Sequence, residues 1–140
     1  MCPPARPPGP EESDTVDFEC VNEKNQFDAQ SPARCEAAVK STVKTFGGIL
    51  QRMTHQSAVC KCEMTFAVYL PSRAETAAVP CLYWLSGLTC TDENFSQKAG
   101  GFRAAAARGL ALVMPDTSPR GVTIEGADDA YDFGSGAGFY

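Results

Sequence analysis

The chain is short of the residues that a hydrolytic triad needs. Its 140 residues include one histidine, His55, and no Gly-x-Ser-x-Gly pattern. A Ser-His-Asp triad requires a histidine, and a nucleophile elbow requires that glycine-flanked serine. His55 falls in a predicted turn between two strands, where a histidine is usually a solvated side chain. The residues of this chain therefore do not predict a complete catalytic triad.

Several other patterns are missing. No apolar run approaches the ~20 residues that span a bilayer, so no membrane segment is expected. Basic residues do not cluster and the net charge is −5, which argues against a nucleic acid partner because phosphate binding needs a basic face. The first thirty residues contain only two basic side chains, Arg6 and Lys24, and neither a secretory signal nor a mitochondrial transit peptide is predicted there.

Cysteine is plentiful, but its spacing does not indicate a metal site. The seven cysteines include no Cys-x2-Cys pair, the spacing typical of zinc sites. Cys60 and Cys62 fall in a predicted strand, where we interpret them as small packing residues. So many thiols favour a reducing compartment, and the expected location is the cytoplasm.

The chain divides into a tail and a domain. Five of the first ten residues are proline, and acidic and polar residues follow. We predict that residues 1–39 form a disordered or weakly ordered Pro-rich and acidic tail, because this composition buries too little apolar surface to offset its ordering entropy. Residues 40–140 then form the domain.

Hydrophobic periodicity predicts an α/β domain with an antiparallel edge. A short helix is predicted over Ala33–Lys44, ending at Gly47-Gly48. A second helix is predicted from Asp92 to Arg108, with Gly109 at its end. The predicted strands are Ile49–Met53, Cys60–Leu70, Pro80–Leu85 and Leu110–Met114, the third of them apolar enough to be covered on both faces. From Thr117 onward the chain is glycine-rich and irregular.

The turn Ser86-Gly87-Leu88-Thr89 is the strongest candidate for a functional site. It follows the third predicted strand and precedes a helix, the place where an α/β-hydrolase supplies an oxyanion-hole N–H. Gly87 is expected to let the backbone turn tightly and approach a substrate. Spacing alone favours this interpretation no more than an ordinary strand-to-helix turn. A second glycine-rich stretch, Gly134–Gly138, has no preceding strand and is interpreted as a tight loop rather than a dinucleotide site.

Five tracts resemble S-formylglutathione hydrolases, also called the esterase D family. They are Phe46–Gly48, Phe66–Pro71, Trp84–Thr91, Pro115–Gly121 and Asp132–Tyr140. Together they extend over roughly residues 40–140, in order and almost without gaps. One departure is Tyr131, which stands where the family usually has tryptophan.

The resemblance implies an α/β-hydrolase fold, here incomplete, in which a serine attacks the thioester carbonyl of S-formylglutathione. Hydrolysis would release formate and glutathione, and no metal or cofactor is needed. It implies that the Leu88 N–H binds the oxyanion and that Gly87 shapes the turn. Cys90 would line the pocket or pack in the interior. Arg120 would either face a glutathione carboxylate or be a solvated loop residue. Members of the family are commonly homodimers.

The family's nucleophile, acid and histidine all correspond to positions after Tyr140. No residue of the triad is therefore assigned, and neither Ser86 nor Ser135 replaces the serine. We expect the 140 residues alone to be unstable or inactive, with the third strand as an open edge. The alternatives are a non-catalytic product that pairs with a full-length subunit, or a general carboxylesterase of the same fold.

Overall fold

The computed structural model describes residues 15–18, 35–126 and 128–137. In these residues a six-stranded mixed sheet has the strand order β1-β2-β3-β4-β6-β5. The strands are β1 Thr15–Phe18, β2 Cys35–Thr45, β3 Gly48–Gln56, β4 Glu63–Leu70, β5 Cys81–Tyr83 and β6 Ala111–Pro115. The helices are α1 Asp92–Lys98 and α2 Phe102–Arg108, and a short 3-10 helix spans Ser72–Glu75.

The prediction of an α/β fold with an antiparallel edge is confirmed. Strands β1 to β4 pair antiparallel in chain order, and β4 pairs antiparallel with β6. β5 and β6, which the two helices connect, are parallel. The carboxyl ends of β5 and β6 therefore lie side by side at one end of the sheet, where open α/β sheets bind ligands.

The helix predicted over Ala33–Lys44 is wrong, because residues 35–44 belong to strand β2; residues 33 and 34 lie outside the described residues. β2 pairs with β3 along nearly its whole length and the two are joined by a two-residue turn. Both turn residues, Phe46 and Gly47, have positive φ angles of 47° and 75°, as a type I′ hairpin requires. Cross-strand pairing therefore overrides the weak helical pattern of the isolated segment.

The positions of Cys60, Cys62 and His55 also differ from the sequence prediction. Cys60 and Cys62 lie in the loop before β4 rather than in the strand, because Lys61 between them has a φ of 54°. His55 lies inside β3 rather than in a turn, and its ring packs edge-on against Phe66 at 5.8 Å. No described serine or cysteine forms a hydrogen bond with it.

The helix predicted from Asp92 to Arg108 is divided into α1 and α2. Gly100 between them has a φ of 62°, and a Cβ on Gly101 would lie 2.9 Å from the ring of Phe95. The left-handed conformation of Gly100 interrupts the helix, and the ring of Phe95 leaves no room for a side chain at position 101. The predicted end of the second helix is confirmed, since Gly109 adopts the left-handed conformation after Arg108.

The main core lies between the sheet and the two helices. Aromatic rings line it: Tyr69 contacts Phe102 at 5.1 Å, and Trp84 contacts Phe95 at 4.6 Å between ring centroids. The buried members of this core are Ala67, Tyr69, Phe95, Phe102, Ala105, Leu112 and Met114. On the opposite face, the second buried cluster comes from strands alone among the described residues.

The apolar sequence of β5 predicted a strand covered on both faces, and this prediction is wrong. The three residues of β5 are exposed, and Tyr83 keeps 67% of its surface accessible. β5 pairs only with β6, so its outer edge has no partner strand among residues 35–126 and 128–137. The expectation of an open edge at this strand is thus confirmed. In the same ranges, no helix is long and apolar enough to cross a membrane.

Candidate oxyanion-binding turn

The candidate site is the segment Ser86–Thr91, which we call the site turn. It begins just after β5, whose pairing with β6 continues through a hydrogen bond from the Trp84 N–H to the Val113 carbonyl at 2.8 Å. It ends at the start of α1, where Thr91 is the N-cap and forms a capping box with Asn94. The strand and the capped helix thus hold both ends of the turn.

Three consecutive N–H groups of the site turn, those of Ser86, Gly87 and Leu88, have no acceptor among the described residues. The Cys90 N–H donates to the Gly87 carbonyl at 3.0 Å, and the Thr89 N–H donates to the Ala137 carbonyl at 2.8 Å. No described residue accepts a hydrogen bond from the Leu88 N–H. A backbone donor without an internal acceptor is available to a ligand oxygen, which is the property required of an oxyanion-hole donor.

Thr89, rather than Gly87, has the unusual backbone conformation in the site turn. Thr89 has a φ of 61°, and a positive φ at the third residue of a four-residue turn is typical of type II, which normally places glycine or asparagine there. A Cβ added to Gly87 would meet no atom within 4 Å. The space beside Gly87 is therefore open. No sequence signal marks Thr89 for this role.

Cys90 and Arg120, the other predicted site residues, lie next to each other. Cys90 is half-buried and its thiol is free. The Arg120 Nη2 donates to the Cys90 carbonyl at 2.8 Å and to Oδ1 of Asp116 at 3.1 Å, while its Nε donates to Oδ2 of Asp116 at 2.5 Å. Arg120 is therefore neither a purely solvated loop residue nor fully free to bind a ligand.

The loop after β6 supports the site turn from one side. The Ser118 hydroxyl donates to the Gly134 carbonyl at 3.0 Å, and the Gly136 N–H donates to the Pro119 carbonyl at 2.8 Å. Gly134 and Gly136 have positive φ angles of 81° and 79°, as expected for a tight loop, while Gly138 lies outside the described residues. This loop carries the Ala137 carbonyl that holds Thr89 in place.

The Asp128 carboxylate organises the same loop. It accepts hydrogen bonds from the N–H groups of Ile124 and Ser135, both at 2.6 Å. These donors favour the charged form and hold the pKa of the Asp128 carboxyl below its usual range. The Ser135 hydroxyl donates to the Pro119 carbonyl at 3.3 Å, so Ser135 is part of the loop structure. The neighbouring Tyr131 is exposed.

A buried ion pair lies on the helix side of the site turn. Asp92, the first residue of α1, is 1% exposed, and its two carboxylate oxygens accept hydrogen bonds from Arg52 of β3 at 2.6 and 3.0 Å. The sequence predicted that a helix begins at Asp92, which the structure confirms. Its partner Arg52 lies 40 residues away in sequence, and no local pattern indicates the pairing.

Comparisons with known proteins point to one family. Residues 57–140 match the family model described as putative esterase. Over 100 residues the chain is 56% identical to the S-formylglutathione hydrolase of Bos taurus and 56% identical to that of Arabidopsis thaliana. These matches cover 71% of this chain but only 36% and 35% of the two relatives.

One solved structure is also similar. It comes from a structural and kinetic study of an S-formylglutathione hydrolase from Agrobacterium tumefaciens, with 42% identity and a TM-score of 0.64. The match covers 71% of this chain and 36% of that one. The chain thus spans about a third of the length of the proteins it resembles, and over that span it has their fold.

Proposed function

Because this chain belongs to the putative esterase family, we propose that it carries the oxyanion-binding turn of a serine thioester hydrolase. The proposed substrate is S-formylglutathione, the compound for which the relatives at 56% identity are named. The observation that supports this role best is the Leu88 N–H, which has no acceptor among the described residues, while the next two N–H groups of the site turn, those of Thr89 and Cys90, are bound.

In the proposed reaction a serine oxygen attacks the formyl carbon, and the carbonyl oxygen becomes an oxyanion. The Leu88 N–H donates to that oxygen and stabilises the negative charge. The carbon–sulfur bond then breaks, glutathione leaves as its thiol after taking up a proton, and water releases formate from the serine ester. The residues of this chain bind and orient the oxyanion. They contain no Gly-x-Ser-x-Gly pattern, so we propose that the chain alone does not hydrolyse the substrate.

A chimera tests the proposed substrate. The segment of the Bos taurus relative that aligns with this chain is replaced by the matching residues of this chain, and the relative supplies the remainder. We expect the chimera to release formate and glutathione from S-formylglutathione, and the 140-residue chain alone to release neither. A folded but inactive chimera would contradict the proposal. Faster turnover of simple acetyl esters than of S-formylglutathione would instead indicate a general carboxylesterase.

Replacing Leu88 with proline in the chimera tests the oxyanion role. Proline has no N–H, so we expect Leu88→Pro to lower kcat by about 10²–10³, the usual effect of losing one such donor. Leu88→Ala is the matched control, because it shortens the side chain and keeps the N–H. Circular dichroism and thermal unfolding establish that both variants fold. Equal activity in the two folded variants would rule out Leu88 as the donor.

We also propose that the protein acts in the cytosol. Cys60, Cys62, Cys81 and Cys90 are all free thiols, and free thiols persist in reducing compartments. Fractionation of cells that express a tagged chain tests this location, and recovery in a secretory or membrane fraction would contradict it.

A further inference from the structure

We propose that Arg120 is a positioning residue, which holds the site turn in the geometry that presents the Leu88 N–H. This inference rests on the proposed function for its catalytic meaning. Its structural basis is independent of substrate, because all the contacts that carry it lie within the chain. It differs from the expectation that Arg120 binds a carboxylate of glutathione.

The geometry of the guanidinium group supports this role. Arg120 binds both carboxylate oxygens of Asp116 with Nε and Nη2, and Nη2 also reaches the Cys90 carbonyl at 2.8 Å. A planar group with several fixed N–H donors can bind a carboxylate with two bonds and a carbonyl beside it at once, whereas a lysine ammonium is a point charge and lacks this fork. The contact links residues 30 positions apart in sequence.

Asp116 provides a fixed anchor for this link. It is 8% exposed and lies just after β6. Its N–H donates to the Thr65 carbonyl of β4 at 2.9 Å, and its carboxylate also accepts the Ser118 N–H at 3.2 Å. Asp116 thus fixes the Arg120 guanidinium beside the central strands of the sheet. From this position Arg120 holds the Cys90 carbonyl.

The consequence for the site turn is a constraint on both sides of Leu88. The Gly87 carbonyl is held by the Cys90 N–H, and the Cys90 carbonyl is held by Arg120. Thr89 between them is bound to Ala137 in a left-handed conformation that a β-branched residue adopts at a cost. A turn with such a residue needs outside support to persist, and Arg120 supplies part of that support.

Amide hydrogen exchange in the 140-residue chain tests the structural part. We expect Arg120→Lys to accelerate exchange at the N–H groups of Thr89 and Cys90, while the amides that pair β3 with β4 keep their rates. Arg103→Lys, at an exposed position on α2, is the matched control and should leave exchange at Thr89 and Cys90 unchanged. Unchanged exchange at Thr89 and Cys90 would overturn the proposal. Asp116→Asn provides a second variant, for which the same two amides should respond.

Kinetics of the chimera test the catalytic part. Arg120→Lys should lower kcat by up to about 100-fold, since misplacing a catalytic group by about 1 Å has effects of that size, and KM should change little. The loss should be the same for S-formylglutathione and for a small formyl ester without glutathione. A raised KM confined to the glutathione substrate would overturn the proposal in favour of carboxylate binding.

The two measurements separate this inference from the proposed function. If the unmodified chimera fails to hydrolyse S-formylglutathione, the proposed function fails, and the exchange rates still decide whether Arg120 holds the turn. If exchange responds while kcat of an active chimera does not, the positioning role is contradicted.

Discussion

At the scale of single residues, the site turn depends on an unfavourable backbone conformation at Thr89. The sequence predicted that Gly87 lets the backbone turn tightly, but the φ of Gly87 is not positive, whereas Thr89 has a φ of 61°. Left-handed φ angles are uncommon for β-branched residues and cost of the order of 1–3 kcal/mol. The hydrogen bond from the Thr89 N–H to the Ala137 carbonyl, which this conformation allows, offsets part of the cost.

Replacing Thr89 with asparagine should stabilise the protein. Asparagine tolerates the left-handed region better than threonine does, and the Thr89 side chain is exposed. We expect Thr89→Asn to raise the free energy of unfolding by about 1 kcal/mol, measured by urea denaturation. Thr76→Asn is the control, because Thr76 has a φ of −123° and should gain nothing. A loss of stability in Thr89→Asn would show that the threonine is not strained.

At the scale of elements, the ion pair between Arg52 and Asp92 ties α1 to β3. Its two partners are unequal, because the Asp92 side chain is fully buried whereas that of Arg52 is 40% exposed. Removing one partner of a buried pair leaves an uncompensated charge. A buried carboxylate cannot be rehydrated without moving the helix, but a half-exposed guanidinium can turn towards water.

The two sides of this pair should therefore differ in mutational cost. We expect Arg52→Met to lower the free energy of unfolding by about 3 kcal/mol, the lower end of the range for breaking a buried pair, and Asp92→Asn to lower it by less. Urea denaturation measures both. Arg108→Met, at an exposed position near the end of α2, should change stability by about 0.5 kcal/mol at most. A larger cost for Asp92→Asn would contradict this ranking.

Some strands could be predicted from the sequence and others could not. The apolar alternation of Glu63–Leu70 and the apolar run of Ala111–Pro115 were enough to predict β4 and β6, because a strand in the middle of a sheet repeats a simple pattern. The segment Cys35–Thr45 was predicted as a helix for the most part and is a strand. Its conformation depends on pairing with β3, and a pattern read within one segment does not include its partner.

At the scale of the whole molecule, the sheet ends in an apolar edge. β5 is the last strand of the described sheet, and Leu82, Tyr83, Trp84 and Leu85 are all exposed. Unpaired N–H and C=O groups on such an edge, beside apolar side chains, favour pairing with another chain.

The 140-residue chain should therefore self-associate through β5. We expect its apparent mass in sedimentation to rise with concentration, and Tyr83→Lys to suppress that rise because a charge on an edge strand opposes pairing. Val59→Lys is the control, since Val59 is also an exposed apolar residue but lies in the loop between β3 and β4 rather than on an edge strand. A monomeric chain at all concentrations, or equal suppression by both variants, would contradict this interpretation.

The sequence by itself determined the class of fold, the position of the site turn between a strand and a helix, and the resemblance to one family. These properties follow from local patterns and from tracts of consecutive residues. Only the tertiary structure decided that Arg120 binds the Cys90 carbonyl and that Arg52 binds Asp92, since these partners are 30 and 40 positions apart in sequence. It also decided that Thr89 is left-handed, because a carbonyl of a distant loop holds its N–H.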